Sequence, residues 1–578
     1  MPRPSHHHTR TLTQYGILAA LLAVFAAFLI YPIWLTVRGG FAEDVATGTG
    51  FTFDHVFNVF RTPILREGLV NAFYVAVATT ILSTILALPL AVLSANYAFP
   101  FKRAFNALIL IPLILPPFVG AIGLRMMLGR EGALNSLLGT EWDILAANKF
   151  WAVVIAEALH LYPIIYLNAT AALANLDPAM DEAADNLGVP PLKRFFKITL
   201  PLIRPGLFAG GTIVFIWSFT ELGTPLMFDY YAVTPVQIFN GIKEVTGSAE
   251  PYALTVVMLA ASVLLYVVGK FLFGGRAYAM QTRAARAAEE KRLTGAAALG
   301  AAAAFGFVIF LAVIPHLGVV LASLASPGSW YQSVLPRELT LSHYNAALTH
   351  PLANGSIQNS LLYASAAVIL AVFIGLLVGY IVVRTKIRGR NLLDSLAMLP
   401  LAVPGLVMAF GFVAMSLAWP FGTGDPLAGL VDVVGQDPNP VLLLVIAYAV
   451  RRLPYVVRAT VAGLEQTSGE MEEAAVNLGA STVTAVRRII VPLIMANLIA
   501  GALLAFSFSM LEVSDSLILA QREAHYPITK AIYTFFDRLG DGYGIASAMG
   551  VWAMALLTVT LVGASVLLGK KLGAVFRV

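Results

Sequence analysis

Runs of about 20 apolar residues, separated by short polar stretches, recur along the whole chain. Each run is long enough to cross a bilayer as a helix, the form that satisfies its own backbone groups in lipid. Twelve are expected, at approximately 15–37, 68–95, 105–128, 150–172, 206–228, 252–274, 295–323, 360–383, 393–418, 440–462, 496–520 and 547–569. The pattern predicts an all-α polytopic membrane protein of about 12 transmembrane helices. The first run follows Arg3 and Arg10, but it is too long for a signal peptide and reads as a retained span.

Composition strengthens this picture. Of the 578 residues, 58% are hydrophobic and 12% charged, where a soluble chain carries roughly 25% charged. The apolar excess has to face a lipid bilayer. A net charge of +5 divided among short loops is no nucleic-acid signal, and the lack of cysteine excludes disulfides and thiolate chemistry. Most of the 37 Lys and Arg fall on one side of the expected spans, in clusters at Lys102/Arg103, Lys193 to Lys197, Arg276 to Arg292, Arg384 to Arg390 and Arg487/Arg488. By the positive-inside rule that side is cytoplasmic, and both termini lie there. His6-His7-His8 on the terminus is taken as incidental, and no metal site is assigned.

The chain also repeats itself. EAADNLGVPPLKRFFKITLP at 182–201 matches EAAVNLGASTVTAVRRIIVP at 473–492, an offset of 291 that also relates Pro163 to Pro454. Upstream the offset is 288, relating Asn71 to Asn359, Pro112 to Pro400 and Pro116 to Pro404. Six spans per repeat is an even number, so the halves run parallel, about a pseudo-twofold axis along the membrane normal. The expected organisation is a first half at 1–275, a cytoplasmic linker at 276–294 and a second half at 295–578.

The matched stretch sits in a cytoplasmic loop of each half, at 173–205 and 463–495. Asp177 is placed to cap a short helix that opens on Pro178, and Thr467 with Glu470 has capping-box spacing. Gly188 and Gly479 suit the left-handed residue that ends such a helix. Small Ala183/Ala184 and Ala474/Ala475 leave a slim surface open to close approach.

EAA, a Gly four residues after the second Ala and a Pro thirteen further on resembles the cytoplasmic loop of ATP-binding-cassette (ABC) importer permeases of type I. The resemblance implies that Glu182, Ala183, Ala184 and Gly188 form one ATPase-coupling element, and Glu473, Ala474, Ala475 and Gly479 the other. It implies two copies of a separate ABC ATPase, an extracytoplasmic (periplasmic) substrate-binding protein, and a bacterial inner-membrane location. No G-x-x-x-x-G-K-[ST] loop occurs in the sequence. This chain is therefore expected to bind no cofactor and catalyse nothing itself, with ATP and Mg on the partner. Fused two-half permeases resemble the branch handling ferric iron, thiamine, aminoethylphosphonate or polyamine-like solutes, and ELGTPLMF looks most like the ferric-iron members.

Ionisable residues inside spans are pathway candidates. Glu221 and Glu512 match at offset 291, and Asp515 adds a carboxylate where the first half has Thr224. Arg451 and Arg452 lie opposite His160 and Leu161, with Glu157 one turn before His160. Helix capping and a buried Arg–Glu network are the structural alternatives. Carboxylates suit a hard cation and arginines an oxyanion, so the charges leave the solute open. An ion-gradient-driven transporter would also explain these carboxylates but leaves the repeated loop unexplained. A membrane-embedded enzyme finds no motif here. Symmetric ATPase docking and unequal solute contacts are expected.

Overall fold

The computed structural model describes residues 6–45, 47–114, 116–143, 145–176, 178–273, 290–538 and 540–568. These residues are predominantly helical, with one two-residue parallel pairing of Tyr97-Ala98 against Lys291-Arg292. That pairing, with the Lys102–Glu290 ion pair at 2.8 Å, ties the end of the second span to the end of the linker. Most of the expected linker lies outside the described residues.

Among the described residues, eight helices are long and apolar enough to cross a membrane, and eleven if each of three bent helix pairs is one span. The tenth expected span also folds as a helix, Val441–Glu465, but Arg451, Arg452 and Arg458 make it less apolar than the others. The repeat is exact in length for the second and eighth spans, Pro63–Asn96 and Pro351–Arg384, each of 34 residues. Each packs against the fourth helix of its own half, Lys149–Ala174 or Val441–Glu465, and both of these are largely enclosed by protein.

Where one continuous ninth span was expected, Arg390–Ala402 and Gly405–Ser416 meet at 103°. The cause is local. Val403 precedes Pro404, and proline pushes its predecessor out of the helical region; both are extended, with ψ of 128° and 134°. The third span breaks at the equivalent place, between Ile111–Ile114 and Pro117–Leu128.

The first helix of each half packs on the other half. Gly295–Leu324 crosses Pro117–Leu128 so closely that a Cβ on Gly123 would collide with the Pro315 carbonyl. By the same relation Tyr31–Phe41 crosses Gly405–Ser416, where a Cβ on Gly411 would stand 2.9 Å from Pro32 O. Gly123 and Gly411 are 288 apart, so the pseudo-twofold relation includes this exchange. Small residues at such crossings let backbones approach, and close packing is what joins helices in lipid.

On the expected outer side, the fifth and eleventh spans are followed by short helices, Thr234–Gly241 and Ile528–Phe536. They meet across the halves, with Phe239 and Tyr533 rings 6.5 Å apart, edge to face.

Candidate functional site: coupling loops and a buried charge cluster

Each of the two matched loops contains a short helix, Pro178–Asn186 or Glu470–Asn477. Gly188 and Gly479 follow at φ +68° and +94°, as their positions in the sequence predict. The N–H of Val189 donates to Ala184 O and that of Ala480 to Ala475 O, both at 3.0 Å. With Gly479 N–H donating to Val476 O, the second loop closes as a complete Schellman turn.

Two expectations about these loops change. Thr467 does not cap; its hydroxyl donates to Leu464 O and accepts from Arg384, and Ser468 Oγ accepts the N–H of Glu470 instead. The chain already turns helical at Gly469, which leaves Thr467 behind the last turn of the preceding helix. Ala184 is buried, so the slim outer surface comes from Ala183 and Ala474, with Ala475 half-buried. The Asp177 cap and the Glu182 side chain lie outside the described residues, while Glu473 is exposed.

The loops also expose matched apolar side chains that the motif does not mention. Leu187 and Leu478 are 81% and 90% exposed, Leu192 and Val483 72% and 77%, and Met180 and Met471 are open as well. All three pairs are 291 apart. An apolar surface repeated in register on a polar loop marks a protein contact.

Inside the helices, the fifth and eleventh spans unwind at Thr220–Leu222 and Leu511–Val513. The two breaks adjoin across the halves, since a Cβ on Gly223 would stand 2.9 Å from both Phe118 and Val513. Glu221 sits in one break and Glu512 in the other, within electrostatic reach of each other. Their local partners differ. Glu221 accepts the Trp217 indole N–H at 3.2 Å and the Thr224 N–H at 3.4 Å, which starts the next short helix. Glu512 is held by Arg451 at 2.9 Å and by Arg452, and Asp515 lies 3.6 Å from Arg451. One break is satisfied by its own strand of chain, the other by a neighbouring helix.

His160 bonds within its own half. Its ring Nδ1 meets Pro112 O at 2.7 Å, and its ring centroid lies 5.9 Å from that of Trp217, which serves Glu221. Glu157 bonds Ser218 and Thr79 rather than an arginine. Beside it a small pocket, with room for about 20 Å³, is lined by Pro112, Pro117 and His160 of the first half and His316 of the second. Trp217, Gly405 and Tyr380 are not singled out by the sequence, and Arg384 enters it only as one of a basic cluster. Trp217 alone had a signal, standing four residues before Glu221 on the same helix face. Outside the spans, Lys530 is buried against Phe239, donates to Leu517 O at 3.1 Å, and burial with nearby Lys243 pushes it down to about 8.

Residues 87–274 and 357–572 each match the family described as binding-protein-dependent transport system inner membrane component. The chain belongs to this family. The two matches fall one in each repeat, so this permease carries two family units in one polypeptide. It is 26% identical over 552 residues to a ferric transport system permease protein of Actinobacillus pleuropneumoniae, covering 93% of this chain and 75% of that protein. A putative ferric transport permease of Haemophilus influenzae is 26% identical, over 87% of this chain and 78% of its own. A molybdenum transport permease of Mycobacterium tuberculosis is 32% identical over 36% of this chain and 81% of its own. A solved bacterial ABC transporter that imports alginate aligns with a TM-score of 0.38 at 15% identity, covering 46% of this chain and 96% of that one. The permease is thus a multi-pass ABC importer subunit of predominantly helical fold.

Proposed function

We propose that this permease forms the solute pathway of a binding-protein-dependent ferric-iron importer, with ATP hydrolysed by two copies of a separate ABC ATPase. The observation that carries the reading is the pair of coupling loops. Each ends on a left-handed glycine with the same closing hydrogen bond, and each exposes the same apolar positions at offset 291. Two equivalent docking elements call for two equivalent partners. Glu182 to Gly188 and Glu473 to Gly479 are the coupling elements, and the ATPase holds the ATP and Mg.

Ferric iron is supported by the long two-unit relatives, which are named for ferric transport and align over most of this chain. The pathway passes between the unwound segments, where Glu221, Glu512, Asp515 and Arg451 line its closed waist, with His160 behind Trp217. An extracytoplasmic binding protein delivers the ion on the side away from the basic loops. The chain lies in a bacterial inner membrane with both termini, and the 276–294 linker between the 1–275 and 295–578 halves, on the cytoplasmic side.

The test is uptake of ferric iron by proteoliposomes holding the permease, its ATPase and its binding protein. Glu182→Lys with Glu473→Lys is expected to abolish ATPase co-purification and uptake together. Unchanged uptake in the double variant refutes the coupling role, and uptake of molybdate in place of iron refutes the substrate.

A further inference from the structure

The two coupling helices are attached to the membrane helices by different means. Tyr380, in the last turns of Pro351–Arg384, donates its hydroxyl to Glu472 Oε1 at 2.6 Å, and both residues are buried. Glu472 lies in the coupling helix immediately before Glu473. One turn after Tyr380, Arg384 Nη2 donates to Leu464 O at 3.0 Å, to Thr467 O at 2.8 Å and to Thr467 Oγ1 at 2.7 Å. Leu464 and Thr467 close the helix that leads into the loop, so a cation here also meets the negative end of that helix. The end of the eighth span therefore grips the coupling segment from both sides, ahead of its helix and within it.

The first half lacks the parts for this grip. At offset 288, Val92 replaces Tyr380 and Asn96 replaces Arg384; at offset 291, Leu176 replaces Thr467. A valine side chain has no hydrogen-bonding group, and Asn96 carries no charge and is far shorter than arginine. The helices that would bear such a clamp, Pro63–Asn96 and Lys149–Ala174, are packed together as their twins are. The difference is thus confined to the polar contacts at the cytoplasmic end.

We propose that Tyr380, Arg384 and Glu472 are positioning residues that lock the second coupling loop to the eighth span, so that ATPase closure is transmitted more rigidly through the second half than through the first. A hydrogen bond to a buried carboxylate and a guanidinium capping a helix end are charge-assisted and hold direction as well as distance. Without these donors the first loop cannot be held in the same way and is left freer to pivot on its span. The proposal rests on the docking role given above to the two loops.

The chain has no cysteine, so single spin labels can be placed at will. Asn186→Cys and Asn477→Cys, exposed positions 291 apart on the two coupling helices, carry the labels in the full permease in nanodiscs. The label at 477 is expected to be the less mobile, and Tyr380→Phe with Arg384→Gln should raise its mobility to that at 186. Equal mobility at the two sites, or no response to the double substitution, overturns the clamp. In proteoliposomes with the ATPase and binding protein, Tyr380→Phe should raise ATP hydrolysed per ferric ion carried by about tenfold or more, the fold-change set by one charge-assisted hydrogen bond. An unchanged ratio overturns the transmission role. Failure of Glu473→Lys to weaken ATPase binding would instead count against the docking role itself, which separates the two.

Discussion

Gly405 begins the helix that follows the Pro404 break, and the guanidinium of Arg451 lies directly over it. A Cβ at position 405 would collide with Nη1, Nη2 and Cζ of Arg451 at once. Gly405→Ala is therefore expected to displace Arg451 from Glu512 and Asp515. Arg452 still reaches Glu512, but Asp515, 1% exposed, loses the ion pair at 3.6 Å. Breaking a buried pair by removing one partner costs about 3–5 kcal/mol, and overpacking alone about 1–3. A destabilisation of roughly 3–5 kcal/mol is the expectation. The first half shows how the cost is avoided, because Pro117 and His160 at the equivalent positions line one pocket together, so an imidazole tolerates a bulkier neighbour there. Thermal unfolding in detergent, read for Gly405→Ala, Arg451→His and the double variant, closes the cycle. The alanine should cost little once Arg451 is histidine. An equal cost in both backgrounds refutes the reasoning, since the collision would then lie with something other than the arginine.

Two further outcomes follow from the ends of the molecule. Lys530 has its proton affinity lowered from 10.5 to about 8, so between these values the unfolded chain holds a proton the folded chain has released, and stability should rise with pH by up to about 3 kcal/mol. Lys530→Met should flatten that rise from pH 8 to 10.5 relative to the parent; an identical slope in denaturation midpoints argues against burial as its cause. In the loops, Gly479→Ala should cost about 1–2 kcal/mol and Gly188→Ala less, because nothing stands near either added Cβ and only the backbone, at φ +94° against +68°, resists. Equal or absent losses in unfolding midpoints would contradict this.

Much of the fold is legible in the order of residues because the bilayer imposes a simple rule. A span must be apolar for about 20 residues and must satisfy its own backbone, so length and hydropathy locate it. Repetition then fixes the parallel halves, and Gly188 and Gly479 declare their left-handed turns because only a missing side chain makes that conformation cheap. Twelve spans were expected, yet Pro116 and Pro404 turn two of them sharply, and two more unwind around Glu221 and Glu512. Residues on both sides of the Pro404 break are apolar, so hydropathy does not locate it, while the backbone restriction does.

Tertiary structure alone decides which polar groups meet. Glu221 and Glu512 are equivalent in sequence, but one accepts from Trp217 and Thr224 while the other is taken by Arg451 and Arg452 from another helix. The exchange of first helices at Gly123 and Gly411 and the Tyr380–Glu472 contact are equally silent in sequence. Periodicity and composition report what each residue must avoid, chiefly water or lipid. They do not report the partner, because a buried charge or hydroxyl is paid back by whichever group the packed helices bring within about 3 Å.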